Sequence, residues 1–210
     1  MNSVPDRHPF NAGGVKRRLA DEFPNRVRPV KLAHIVLTTP NLRRARDWYL
    51  EVLDGHVSYE NEMVCFLSYD DEHHRIGLVG VPGLVEKPPN SWGLDHLAFT
   101  YPTLGALLAH YTFLKSKGVL PYWPINHGPT VSFYYRDPDG NKVEMQYDVF
   151  AKLEDLDAFF AAGNYHENFM GIIIDPDALV ERYEAGEPLE NLVHRPKLPP
   201  GKTPWDMHRP

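Results

Sequence analysis

Two six-residue stretches, LAHIVL at 32–37 and LDHLAF at 94–99, share a strand-like apolar run, place a histidine third and lie 62 residues apart. A repeat at this spacing means that one supersecondary unit is built twice, because neither copy buries its apolar face alone. The segments after the two stretches repeat as well. The apolar period changes from about 2 to about 3.6. Leu42, Ala45, Trp48, Tyr49 and Val52 then line one face of a helix that starts near Asn41 and ends before Gly55. Leu104, Leu107, Leu108, Tyr111 and Leu114 do the same before Gly118. Short strands come next, at about 56–60, 63–68 and 75–81 in the first unit and about 120–124, 130–136 and 142–148 in the second. Asp137-Pro138-Asp139-Gly140-Asn141 supplies a preset proline φ and a glycine free to take φ > 0, which a hairpin connection needs. The pattern is βαβββ, twice, and the expected class is α+β.

Around this core lie two segments of other character. Residues 1–29, rich in Pro, Arg and Asn, read as an N-terminal arm. Residues 150–210 carry helical patterns near 151–162 and 176–185, then a Pro-rich tail expected to lie without regular structure across the domain or a partner subunit. The domain itself spans 30–149, with its first module at 30–90 and its second at 91–149.

Composition excludes several classes. No run approaches the roughly 18–20 apolar residues of a membrane span, and the N-terminus lacks the apolar stretch of a signal peptide. A net charge of −6 with scattered basic residues argues against binding nucleic acid. Cys65 is the only cysteine, so no internal disulfide forms and a reducing, cytoplasmic setting is expected.

Three residues stand out chemically. His34 and His96 hold equivalent places in matching units, so pseudo-symmetric packing would let their imidazoles converge. Glu144, inside Lys142-Val143-Glu144-Met145-Gln146, places a carboxylate among apolar strand residues. Taken singly, each has an ordinary explanation, as an edge-strand histidine or a solvated glutamate. Two imidazoles and one carboxylate together make a facial triad suited to non-haem Fe(II), with open positions for substrate and O₂; Mn(II) accepts the same donors.

The paired modules, the strand histidines and the stretch GPTVSFYYRDPDGNKVEMQYD resemble the vicinal oxygen chelate superfamily over about residues 30–150, and within it the type I extradiol catechol dioxygenases. The resemblance implies paired modules forming a half-open barrel around a metal held by His34, His96 and Glu144. It also implies that His74, second of the pair His73-His74, is a catalytic base, and that Tyr134, ten residues before Glu144, hydrogen-bonds a substrate oxygen. His127, seven residues before Tyr134 where the family's spacing is nine, resembles the histidine that faces O₂. No acidic residue lies between Arg75 and Leu84, where glyoxalase-like relatives carry a fourth ligand, and this favours the dioxygenase. The implied partners are an aromatic diol, O₂ and a second copy of the chain in a homodimer. Trp92, Phe133 and Tyr135 are candidates for an aromatic pocket wall, of which strand alternation should turn some outward. The rival readings are another metal-dependent enzyme of the superfamily (a lyase, isomerase or thiol transferase) and a metal-free protein that sequesters a small molecule.

Overall fold

A computed structural model describes residues 25–88 and 91–209. The expected arm therefore lies mostly outside the described residues. From His34 onward the chain forms one compact unit.

The first module runs β1 (Ile35–Thr39), α1 (Leu42–Leu53), β2 (His56–Glu60), β3 (Val64–Ser68) and β4 (Ile76–Gly80). Its counterpart runs β5 (His96–Thr100), α2 (Leu104–Ser116), β6 (Trp123–Asn126), β7 (Thr130–Arg136) and β8 (Lys142–Asp148). Each helix starts where a polar side chain satisfies an orphan backbone donor: Asn41 accepts from the Arg44 amide and Thr103 from the Ala106 amide. α1 ends where Asp54 takes the left-handed conformation, φ 48°.

The two sheets match in order, β1-β4-β3-β2 and β5-β8-β7-β6, the second extended by β9 (Ile172–Ile173) beside β6. In each, the opening strand pairs in parallel with the closing one, β1 with β4 and β5 with β8, while the remaining pairs are antiparallel. This crossover sets the edge strand that follows His34 or opens on His96 beside the last strand of its own module.

Alternation along the strands divides the side chains between two faces. Val131, Phe133, Tyr135, Val143 and Met145 join Tyr49 and Val52 of α1 and Leu107, Tyr111 and Leu114 of α2 in one core shared by both modules. Phe133 and Tyr135, at 0% and 1% exposure, thus face the helices inside the core. Trp92, at 98%, stands in solvent. The opposite face of the second sheet carries Trp123, Ile125 and Tyr134, packed against Met170, Leu198 and Met207 of the C-terminal segment.

The buried Tyr49 hydroxyl ties the modules together by donating to Asp137 Oδ2 at 3.0 Å. Asp137 also accepts from the backbone amides of Asp139 and Asn141, which closes the β7–β8 turn. Tyr49→Phe removes one buried hydrogen bond and leaves the ring packed, so we expect a loss of about 1–2 kcal/mol in denaturant unfolding. An unchanged midpoint would show that the bond is dispensable.

The C-terminal segment is more ordered than its proline content suggests. It forms α3 (Leu153–Ala161), α4 (Asn164–Glu167), β9, α5 (Pro176–Glu184), α6 (Leu189–Leu192) and a 3₁₀ turn at Pro204–Met207. It lies across the second sheet: the Trp123 indole N–H donates to the Met207 carbonyl at 2.8 Å, and the Asn126 amide to that of Val193 at 2.9 Å. Pairing with β9 also explains why the strand expected at 120–124 is found at Trp123–Asn126, since Ile125 and Asn126 are its partners there.

Candidate metal centre

β5 and β8 bring two of the expected ligands into contact. Ala98 sits level with Glu144 in the parallel ladder, and His96, two residues earlier on the same face, places Nε2 3.0 Å from Glu144 Oε2. Glu144 is 4% exposed. Burial pushes its carboxyl up, but hydrogen bonds from His96 and Ser132 outweigh that and hold it below the usual range. His96 responds in the opposite sense: the hydrogen bond to Glu144 raises it to about 9, against desolvation and with help from Asp95. Asp95 Oδ2 lies 2.8 Å from Nδ1 of His96, and the same carboxylate takes an ion pair from Lys142. Both ring nitrogens therefore carry hydrogens as the site stands; on loss of the Nε2 proton to a cation, Asp95 would keep the hydrogen on Nδ1 and leave the Nε2 lone pair directed at the site, the arrangement found around metal-binding histidines. One imidazole so oriented beside a buried carboxylate fits a divalent cation of the iron class.

A polar relay continues from Glu144. The Tyr134 hydroxyl hydrogen-bonds Glu144 and lies 3.1 Å from His127 Nε2, while His127 Nδ1 meets the Met170 carbonyl. A carbonyl only accepts, so Nδ1 carries the hydrogen and Nε2 presents its lone pair, and the single Tyr134 proton serves either that nitrogen or Glu144. Burial lowers the His127 pKa and raises that of Tyr134, so the imidazole is neutral and the phenol keeps its proton. The His127 backbone is held by Arg195, whose guanidinium donates to the carbonyls of His127, Asn168 and Asn164 at 2.9, 2.7 and 2.8 Å.

His34 lies elsewhere. It stacks on His74 with ring centroids 4.3 Å apart, and His74 stacks on Phe66 at 4.4 Å. Among the described residues, the ligand atoms found within 4.8 Å of one another are those of His34, His73 and His74, not of His34, His96 and Glu144. A cleft of about 300 Å³ is lined by Val36, Leu37 and Thr38 of β1 and by Asp95, His96 and Leu97. Val36 has the same parity as His34 along the chain. Burial lowers the His74 pKa, and the neighbouring His34 and His73 add to the effect.

Sequence reasoning missed Asp95, His73, Phe66 and Arg195. An Asp-His pair at the start of a strand was a usable signal for Asp95. Arg195 gave none, because its target lies 68 residues away.

The profile of the Glyoxalase/Bleomycin resistance protein/Dioxygenase superfamily matches residues 31–145. Two curated relatives come from Rhodococcus globerulus. Biphenyl-2,3-diol 1,2-dioxygenase 3 is 47% identical over 167 residues, covering 79% of this chain and 88% of the relative. Biphenyl-2,3-diol 1,2-dioxygenase 2 is 44% identical over 164 residues, covering 78% and 86%. Among solved structures, the lactoylglutathione lyase of Agrobacterium tumefaciens aligns over 57% of this chain and 94% of its own, with 17% identity and a TM-score of 0.46. With its twofold βαβββ architecture and the profile match across both modules, the chain belongs to the Glyoxalase/Bleomycin resistance protein/Dioxygenase superfamily.

Proposed function

We propose that the protein is an extradiol dioxygenase that inserts both atoms of O₂ into a catechol-type substrate and opens the ring beside, not between, the two hydroxyl-bearing carbons. His34, His96 and Glu144 hold Fe(II), with Mn(II) the alternative for the same donors. The observation that carries this reading is the buried Glu144 carboxylate, 3.0 Å from a His96 already oriented by Asp95, with the Tyr134–His127 relay beside it. Relatives at 44–47% identity that are named dioxygenases of a biphenyl diol support it, and point to a bicyclic catechol as the first substrate to try.

Fe(II), held by these residues, would supply Lewis-acid and one-electron chemistry toward the catechol and O₂. The chain's own side chains orient the substrate and carry its protons. His34 would complete the triad on leaving the His74 ring it now stacks on. His74, whose pKa desolvation and the neighbouring His34 and His73 lower, accepts a catechol proton. Tyr134 keeps its own proton and donates it in a hydrogen bond to a substrate oxygen. His127, fixed by the Met170 carbonyl, presents the Nε2 lone pair toward the O₂ side, where it would take up a proton released by the catechol and return it to the substrate oxygen.

The proposed assembly is a homodimer, for which the exposed apolar side chains of Val36 and Tyr59 in the first sheet and of Met63 between β2 and β3 offer material. Light scattering behind a sizing column tests it, and a monomer mass would refute it. The proposed setting is the cytoplasm, where the buried, unpaired Cys65 needs no partner; no described helix is long and apolar enough to cross a membrane.

The test is anaerobic reconstitution with Fe(II), followed by aerated assay with 2,3-dihydroxybiphenyl and simpler catechols, watching for the yellow ring-opened product. Protein that takes up no metal, or loaded protein that yields no such product from any catechol, would refute the reading. His74→Gln should retain its iron and lose about a hundredfold in kcat, the usual scale for a removed general base. Equal losses of iron and of rate would show that His74 acts as a ligand instead.

A further inference from the structure

We propose that His34, His73 and His74 form a second, all-imidazole site for a zinc-class divalent cation, and that this site and the iron triad exclude each other because both require His34. The exclusion rests on the function proposed above. Zinc binding by the three histidines does not.

The fold itself assembles this cluster. Parallel pairing sets Ile35 level with Ile76, and the Ile35 amide donates to the Arg75 carbonyl at 2.9 Å, so the residues just before β1 and β4 arrive side by side. His34 comes from one and His73 and His74 from the other, with ligand atoms all within 4.8 Å. Phe66 fixes the plane of His74, their rings stacking with an interplanar angle of 12°. His73 turns Nδ1 toward His74 Nδ1, at 2.5 Å, and Nε2 toward the Glu72 carboxylate, at 3.5 Å. Glu72 is 5% exposed. An imidazole with one nitrogen directed at a cation position and the other facing a buried carboxylate is oriented and made more basic, as metal-ligating histidines are.

Size and chemistry then select the ion. Zinc–nitrogen bonds of about 2.0–2.1 Å in tetrahedral geometry set the nitrogens roughly 3.4 Å apart. The His73 and His74 rings would therefore part by about 1 Å, and His73, with a side chain 52% exposed, has room to do so. Three imidazoles without a carboxylate favour zinc, nickel or copper over magnesium, calcium or manganese. The fourth position stays open for water.

Two variants separate this cluster from the triad. His73→Gln touches only the cluster, at a half-exposed position where the change does not threaten the fold; Glu144→Gln touches only the triad. Zn(II) is titrated into metal-free protein by calorimetry, and Co(II), a visible surrogate, by absorption. Wild type and Glu144→Gln should bind one zinc per chain with equal affinity, whereas His73→Gln should bind at least about tenfold more weakly while loading Fe(II) as wild type does. Zinc added to iron-loaded wild type should release iron one for one. Zinc binding that is unchanged in His73→Gln, or lost in Glu144→Gln, would place the ion in the triad and overturn the proposal. A chain holding iron and zinc together would overturn the exclusion. Glu144→Gln that keeps iron as firmly as wild type would refute the function proposed above and leave the zinc site standing.

Discussion

Glu144→Gln should yield folded protein that retains fewer than about one iron per ten chains after desalting and has lost at least a hundredfold in ring-cleaving rate. Removing a residue that merely orients a ligand costs roughly ten- to a hundredfold in metal affinity or activity, and a ligand should cost more. The amide keeps the shape of the carboxylate and can still meet Tyr134 and Ser132. What it lacks is the negative charge that draws a divalent cation to a site otherwise made of neutral imidazoles. The measurement is iron per chain by atomic emission after anaerobic reconstitution, with the circular dichroism spectrum as a check on folding. Full iron content with lost activity would move Glu144 from metal ligand to proton carrier. Retention of both would remove it from the site. A matching loss in His96→Ala, with iron partly kept in Tyr134→Phe, would divide ligands from substrate-positioning groups.

Gly171→Ala carries the second large effect, through the backbone. Gly171 has φ +114°, and a Cβ there would collide with the Asn126 carbonyl oxygen and stand 2.9 Å from His127 Cα. Both neighbours are backbone at the end of a paired strand and cannot rotate away. A conformation open only to glycine combined with a main-chain collision should cost on the order of 3 kcal/mol. At about 2–4 °C per kcal/mol for a chain of this size, the melting temperature falls by roughly 6–12 °C. The disturbance reaches the site, because Gly171 follows Met170, whose carbonyl holds His127 Nδ1. Activity should therefore drop even at temperatures where the variant is folded. Gly201→Ala is the control: its φ of +78° is also positive, but nothing lies within 4 Å of the added carbon, so about 1 kcal/mol is expected. Equal effects of the two substitutions would show that the close approach at Asn126 is relieved at no cost.

Periodicity and turn chemistry were sufficient for the architecture. The change from a period of 2 to one of 3.6 after each histidine strand located both helices, and Asn41 marked the start of the first because a short polar side chain there satisfies a free amide. Faces were harder to read. Phe133, Tyr134 and Tyr135 are consecutive aromatics, yet Tyr134 alone turns to the relay while its neighbours enter the helix-facing core. Strand alternation requires such a division, but the absolute phase depends on which face the helices cover. The C-terminal segment gave the least local signal. Its order comes from hydrogen bonds across tens of residues, such as Arg195 to His127 and Trp123 to Met207, and these leave no period in the chain.

The amino-acid order alone therefore determined the twofold βαβββ plan, the two helices and the residue types of the candidate centre, because all of these depend on spacing within a few turns or strands. Tertiary structure decided which of those residues meet. Parallel pairing of β5 with β8 joins His96 to Glu144, while the matching pairing of β1 with β4 joins His34 to His73 and His74. A histidine's place in a repeat fixes its strand and its face; its neighbours depend on the register between strands and on side-chain rotation, which are settled by packing across the whole molecule.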